Sequence, residues 1–279
     1  MSAVFAPASL EIATKTDPGV VRTLNEDSTA VASDLGLLVL ADGMGGYKAG
    51  DVASNLAIRT TVDELSRELQ RAPSGEIAAL VIKAVKKANS EIFLEGLKRM
   101  QHTGVSRDLR IGSTLALMLF RQDSVTLAHV GDSRIYRLRD GRLQLLTHDH
   151  SLLQEQIDMG MLSADDARTS HNRHLVTRGL GLQPEVEVDL KEEVTQPEDI
   201  YLLCSDGLND MVDDADIELV LNSLKSNLQL AANQLVMIAN DHGGEDNVSV
   251  LLARVRPQAA ALPPAAEKKS GFFARLFGR

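Results

Sequence analysis

A mixed α and β fold built on antiparallel sheets is predicted for this sequence of 279 residues. Three observations predict it. Short apolar runs bounded by turn residues recur along the chain. Two of them flank Asp140-Gly141, a dipeptide that supplies the positive φ angles of a tight hairpin turn. The strand-like runs also fall before and after two adjacent helical stretches, whereas a βαβ chain would alternate them. The length allows one large domain or two small ones and is enough to bury a sizeable core. No internal repeat is present.

The elements follow in order. Leu35–Ala41 (LGLLVLA) reads as a strand ending at an acidic turn. Gly50–Leu69 and Glu76–Leu97 read as helices; in the second, Ile77, Leu80, Val81, Ala84, Ala88 and Ile92 recur at helical spacing. Ser113–Arg121 and Val125–Val130 are two strands split by Gln122-Asp123-Ser124, and Ile135–Leu138 and Leu143–Leu146 are the arms of the Asp140-Gly141 hairpin. Leu152–Gly181 is polar and mixed, an irregular excursion with a short helix, the kind of long loop that often carries function. Ile200–Cys204 and Val248–Val255 are strands around a third helix, Leu228–Asn240. A globular domain is expected over residues 1–256, an Ala/Pro linker over 257–269 and a short basic amphipathic tail over 270–279.

Composition excludes several classes. Aromatic residues are only 3% and Trp is absent, so the core must be built from Leu, Val, Ile and Ala. A net charge of −10 argues against nucleic acid as a partner. It either keeps the protein soluble or marks carboxylates gathered around cations, and positions must decide. Cys204 is the one cysteine; in the run Tyr201-Leu202-Leu203-Cys204 it reads as a small buried hydrophobe, not a nucleophile. The first residues, MSAVFAPASLEI, lack the basic and apolar regions of a signal peptide, and no run approaches a membrane span, so the cytoplasm is the expected compartment.

The acidic residues are placed non-randomly. Asp42 opens Asp42-Gly43-Met44-Gly45-Gly46 after one apolar strand, and Asp206 opens Asp206-Gly207-Leu208 after another. Asp246 precedes Asn247 and a third strand, and Asp132 stands in Gly131-Asp132-Ser133-Arg134. A single Asp-Gly is ordinarily just a turn. Four carboxylates at strand ends are another matter, because they would repel one another if they converged without cations between them. Oxygen ligands of this kind suit Mg²⁺ or Mn²⁺, and a zinc site is disfavoured, with only His129 and His242 nearby. The glycines after Asp42 do not form a nucleotide loop, since Lys48 is followed by Ala49. Arg22, in Val20-Val21-Arg22-Thr23-Leu24-Asn25-Glu26-Asp27-Ser28, has the fork geometry to hold a phosphate or to make a surface ion pair.

The ordered series VVRTLNEDS, LADGMGGYKAGDVAS, IGSTLAL, AHVGDSRIYRLRDGRLQLLTHDHS, TRGLG, YLLCSDGLNDMV and GGEDNVSVLLARV resembles the metal-dependent protein phosphatase family (PPM, type 2C), in its bacterial serine/threonine form. The likeness runs from about Asp17 to Val255. It implies an α+β fold, a four-layer αββα sandwich of two antiparallel sheets flanked by helix pairs. It further implies hydrolysis of phosphoserine and phosphothreonine in proteins by a water activated at a binuclear Mn²⁺ or Mg²⁺ centre, counteracting a kinase. By the same resemblance Asp42 bridges two ions and the Gly43 carbonyl binds one. Asp206 and Asp246 complete the pair, and Asp132 with Asp206 matches a third, weaker site. Arg22 matches the phosphate-binding arginine, and Glu26 and Asp27 match residues that organise water on the metals. The stretch Leu152–Arg178 matches a variable flap beside the cleft.

One departure is chemical. Some members of the family carry His after the first Asp-Gly as a proposed general acid, and here that residue is Met44, which holds no proton. Protonation of the leaving group must then come from water, from a metal-bound water or from another side chain, for which His174 in the flap is a candidate. His148-Asp149-His150 is read as structural, because the further spaced ligands of a zinc phosphohydrolase are absent. Two alternatives stand beside the phosphatase reading: a catalytically silent phosphoprotein-binding regulatory module, and a small-molecule phosphatase on the same fold. The filled Asp positions argue against the first, and substrate comparison decides the second. The expected partners are phosphoprotein substrates, including a Ser/Thr kinase or its targets, and the chain is expected to be a monomer. In the tail, Phe272, Phe273, Leu276 and Phe277 share one helical face beside Arg275 and Arg279, a pattern for weak contact with an anionic membrane or a partner groove.

Overall fold

The computed structural model describes residues 9–45, 49–71, 76–103, 111–163 and 175–257. The linker beyond Pro257, the tail and His174 lie outside the described residues. The strands are β1 (Leu10–Asp17), β2 (Asp27–Ala32), β3 (Leu37–Met44), β4 (Gly112–Ser113), β5 (Leu115–Phe120), β6 (Ser124–Val130), β7 (Arg134–Arg139), β8 (Arg142–Leu145), β9 (Asp189–Val194), β10 (Ile200–Cys204) and β11 (Val248–Val255). The helices are α1 (Gly50–Arg71), α2 (Ile77–Thr103), α3 (Leu152–Asp158), α4 (Asp206–Asn209), α5 (Asp214–Leu224) and α6 (Leu228–Asp241). One sheet has the order β1-β11-β10-β7-β8 and the other β2-β3-β5-β6-β9, with β4 paired to β3. Every strand pairing is antiparallel.

The layering follows from the two-residue period of a strand. In β3, Leu37, Val39 and Ala41 face a core completed by α1 and α2, among them Ala57, Leu65, Val81 and Ile92. Leu38 and Leu40 face the other way, toward Ile135, Tyr201, Leu203, Leu251 and Ala253 of the opposite sheet. In β11, Leu251 and Ala253 fill that central layer while Val248, Val250 and Leu252 pack on α5 and α6. The result is α1/α2, sheet, sheet, α5/α6, the αββα sandwich. Because the central strands are buried on both faces, they read in sequence as unbroken apolar runs. Small aliphatic residues dominate all three cores, and the few aromatics concentrate between the sheets, where Phe120 and Tyr201 meet edge to face at 5.2 Å. No described helix is long and apolar enough to cross a membrane.

Three strands, β1, β2 and β9, were not visible in the apolar pattern. All three are edge strands, and β9 keeps only Leu190 and Val194 as aliphatic residues, the latter 70% exposed. Helix α5 was also missed, although Ile217, Val220 and Leu221 bury at helical spacing and Asp214 and Asp216 fill its electropositive first turn. The expected strand Ser113–Arg121 is interrupted at Thr114. Its hydroxyl accepts the Asp42 N–H (2.9 Å) and its own N–H donates to the Asp42 carbonyl (2.8 Å). Asp42 and Gly43 therefore lie inside β3 and not in a turn beyond it.

Candidate metal centre

The sandwich brings four strand ends to one edge. In antiparallel neighbours the end of one strand adjoins the start of the next. Asp206, just past β10, therefore lies beside Asp246, just before β11. β3 and β6 also run toward this edge and deliver Asp42 and Asp132. A cleft of ≈ 230 Å³ is lined by Asp42, Gly43, Asp132, Asp206, Asp246, Arg22 and Glu26, together with Met44, Thr114, Val176 and Asn247. Thus all the expected metal-site residues share one cavity, with Asp27 behind it: Asp27 is the cross-strand partner of Asp42 in the β2–β3 ladder.

Support for these groups comes from residues that the sequence reading did not single out. Buried Asn247 donates to the carbonyls of Pro18 (2.9 Å) and Leu24 (2.8 Å) and accepts from the Glu26 N–H (2.7 Å). It thereby fixes both ends of the loop that carries Arg22. That loop is also pinned by the Val20 and Val21 N–H groups, which donate to the Gly244 carbonyl. Arg22 reaches Asp246 Oδ2 at 2.8 Å, half exposed at the rim. Ser205 donates to Asp27 Oδ2 at 2.8 Å. The only sequence signal for Asn247 and Ser205 was their adjacency to Asp246 and Asp206.

Glu26 has a local duty. Its Oε1 accepts the Gly50 N–H at the start of α1 (3.1 Å), and its carbonyl accepts the Gly43 N–H (3.2 Å). This draws the end of β3 and the start of α1 together so closely that a Cβ on Gly43 would lie 2.0 Å from the Gly50 carbonyl oxygen. Glycine is required at Gly43 for that approach. Met44 turns toward the returning arm of the flap, its Cε 2.8 Å from where a Cβ on Gly179 would stand. The described lining contains no imidazole. Asp149 holds Arg134 with bonds of 2.7–3.1 Å, and His150 Nδ1 accepts the Gly131 N–H, so the His148-Asp149-His150 stretch is built into the scaffold.

Electrostatics identify what the cleft lacks on its own. Burial, and then the neighbouring carboxylates, hold Asp42 and Asp132 well above the usual carboxylate range. Burial likewise raises Asp27 to about 7, against hydrogen bonds from Ser249 and Ser205 that lower it. Asp27 Oδ1 is buried without a hydrogen-bond partner. An all-oxygen donor set under mutual repulsion fits hard divalent cations, which replace those protons.

A stability prediction follows. Without metal, these carboxyls bind more protons folded than unfolded, since their folded pKa values lie above the unfolded one near 4. Unfolding free energy therefore falls as pH rises wherever the native state holds the extra proton. In chelator, the melting temperature followed by circular dichroism should drop between about pH 4 and pH 7, the window in which Asp27 titrates. Mn²⁺ should restore it at pH 7. A metal-free melting temperature that rises across that window would contradict the proton count.

Comparison with known proteins places this geometry. A family profile described as Protein phosphatase 2C matches residues 20–237. The chain is 38% identical over 241 residues to a serine/threonine phosphatase, stp, of Listeria innocua, covering 85% of this chain and 93% of that protein. The crystal structure of the Mycobacterium tuberculosis serine/threonine phosphatase PstP/Ppp superposes with a TM-score of 0.78 at 37% identity, covering 89% of this chain and 99% of the other. The catalytic domain of PstP in complex with 2 manganese ions gives 0.76 at 37% identity, with the same coverage.

Proposed function

The chain belongs to the protein phosphatase 2C family, and from that premise we propose that its acidic cleft hydrolyses phosphoserine and phosphothreonine in other proteins. The observation that carries the reading is the convergence of Asp42, Asp132, Asp206 and Asp246, from four separate strand ends, in one cleft with Arg22 at its rim.

The residues divide the work. Asp42, the Gly43 carbonyl, Asp206 and Asp246 would hold two Mn²⁺ or Mg²⁺ ions, and Asp132 with Asp206 would hold a weaker third. When bound, the ions supply the positive charge that draws in the phosphate and the Lewis acidity that activates a water for in-line attack on phosphorus. Arg22 is kept at the rim by Asp246 and is exposed enough to swing its fork onto the phosphoryl oxygens, where charge builds in the transition state. Glu26 and Asp27 hold the site's edge. Glu26 ties β3 to α1, and Asp27 presents a buried carboxyl oxygen toward Asp42 across the ladder. With Met44 in place of an imidazole, the leaving Ser or Thr alkoxide takes its proton from water. Cys204 plays no part: it is fully buried and its thiol is pushed up by that burial.

The silent-binder alternative would leave the acidic set incomplete, and here the set is complete. The substrates are phosphoproteins that answer a Ser/Thr kinase, with the cytoplasm as the working compartment and a monomer as the working form. The test is a comparison of phosphoserine or phosphothreonine peptides with nucleoside monophosphates, in Mn²⁺, at matched concentrations. The expected result is a kcat/KM for the peptides at least about 10-fold higher, or about 1.4 kcal/mol in transition-state binding. Equal or better turnover of the nucleotides would reassign the enzyme to small-molecule substrates.

A further inference from the structure

Two of the acidic strand ends are tied to each other by a neutral residue between them. Thr114, between β4 and β5, is 2% exposed and lines the cleft. Toward β3 it pairs with Asp42 as a strand neighbour would. Its N–H donates to the Asp42 carbonyl (2.8 Å) and its Oγ1 accepts the Asp42 N–H (2.9 Å). Ser113 Oγ donates to the same carbonyl at 3.0 Å. Toward β6 the Thr114 side chain meets both neighbours of Asp132. Its Oγ1 shares a 2.7 Å hydrogen bond with Ser133 Oγ. Gly131 lies against its methyl group, so closely that a Cβ there would come within 2.7 Å of Thr114 Cβ and Cγ2. Gly131 also sits at φ +109°, where a side chain is strained.

These contacts are more specific than packing requires. Valine, which has the same shape, would fill the space against Gly131. A hydroxyl at so buried a position costs desolvation unless it is used. Here it is used twice, once by each ligand segment, and the fully buried Ser133 turns its own hydroxyl to the same oxygen. The β-branched side chain has few χ1 states, so seating the methyl on Gly131 also aims Oγ1. The hydroxyl is the midpoint of a link that runs from the Asp42 N–H through Thr114 Oγ1 to Ser133 Oγ. What the link holds would otherwise spread apart, because Asp42, Asp132 and Asp206 are like charges in one cleft.

Resting on the reading of this cleft as a metal centre, we propose that Thr114 is a positioning residue for the weaker third ion: through its hydroxyl the Asp132 turn takes its place from Asp42. Thr114 itself holds no ion in this scheme. Asp42 serves the core pair and Asp132 the third ion, and the 2.7 Å bond between the Thr114 and Ser133 hydroxyls joins the two binding events. Core ions that fix Asp42 therefore prepare the Asp132 turn, and by linkage the third ion tightens the core pair in return.

The experiment uses the full chain, freed of metal and titrated with Mn²⁺. Free Mn²⁺ is counted by its electron paramagnetic resonance signal, so bound ions per chain are read without turnover. Wild type should bind the core pair tightly and a third ion more weakly. Ser133→Ala removes one end of the link and no ligand; it should weaken the third ion at least about 10-fold while the core pair stays bound. Thr114→Val keeps the shape and loses the hydroxyl, and should weaken the third ion at least as much. Thr114→Ser, which retains the hydroxyl, should hold the third ion as wild type does. The double variant Thr114→Val/Ser133→Ala should bind it no more weakly than Thr114→Val alone, since both changes cut the same link. A scaffold defect would instead loosen all the ions together, and that result in Ser133→Ala would overturn the proposal. So would a third ion held equally well by wild type and Ser133→Ala, whatever becomes of Thr114→Val. Failure of wild type to bind Mn²⁺ at all is a distinct result, which would overturn the metal centre and the proposal with it.

Discussion

Asp42→Asn is expected to lower kcat by about 10²-fold or more at saturating Mn²⁺, a loss of at least about 2.7 kcal/mol in transition-state stabilisation. Asp42 faces Asp27 across β2–β3 and shares the cleft with Asp132, Asp206 and Asp246. Burial first, and then like charge from Asp27, Asp206, Asp132 and Asp246, raise its pKa. The same crowding gives the variant a second, opposite signature. Removing one charge from the metal-free cluster relieves repulsion, so chelated Asp42→Asn should unfold in urea at the same or a higher midpoint than chelated wild type. Loss of turnover with stability kept identifies a ligand, whereas loss of both identifies a scaffold residue. Asp206→Asn should behave alike. Asp132→Ala should spare the core pair and weaken only the third ion. Near-normal kcat in Asp42→Asn would remove that residue from the centre.

Chelation should abolish hydrolysis of a generic aryl phosphate, and Mn²⁺ or Mg²⁺ should restore it. The expected fall is to below about 1% of the starting rate, because the described lining offers no other Lewis acid and, apart from its carboxylates, no imidazole, thiol or amine to activate water. The single cysteine is buried in β10, so no phosphocysteine route stands in reserve. Full activity in a preparation shown by elemental analysis to hold no metal would end the hydrolytic scheme proposed for this cleft.

Sequence and structure agree where burial is two-sided. β3, β10 and β11 were legible because every residue of such a strand faces one core or another. α2 was legible because Ile77, Val81, Ala84, Ala88 and Ile92 fall on its buried face. Edge strands β1, β2 and β9 were not legible, since one face and one edge meet solvent and their composition follows suit. At the centre, the Asp residues stood out by their place after apolar runs and beside glycine. What no spacing reveals is contact between distant segments. Asn247 holding Pro18 and Leu24 and Thr114 standing in for a backbone acceptor of Asp42 each depend on strand order, which a linear pattern does not encode.

The pairing of β1 with β11 has a consequence for synthesis. Leu10 opposes Val255 and Asp17 opposes Val248, so the first described strand is completed only by the last. β11 also pairs with β10 and follows directly on Asp246 and Asn247, which hold Arg22 and its loop. A growing chain on the ribosome therefore carries β1 unpaired, and the Arg22 loop unanchored, until β11 emerges. Such long-range closure slows folding and leaves strand edges open in the meantime. Nascent chains that stop short of β11 should be aggregation-prone and without phosphatase activity, so the enzyme switches on only when translation of its domain is finished.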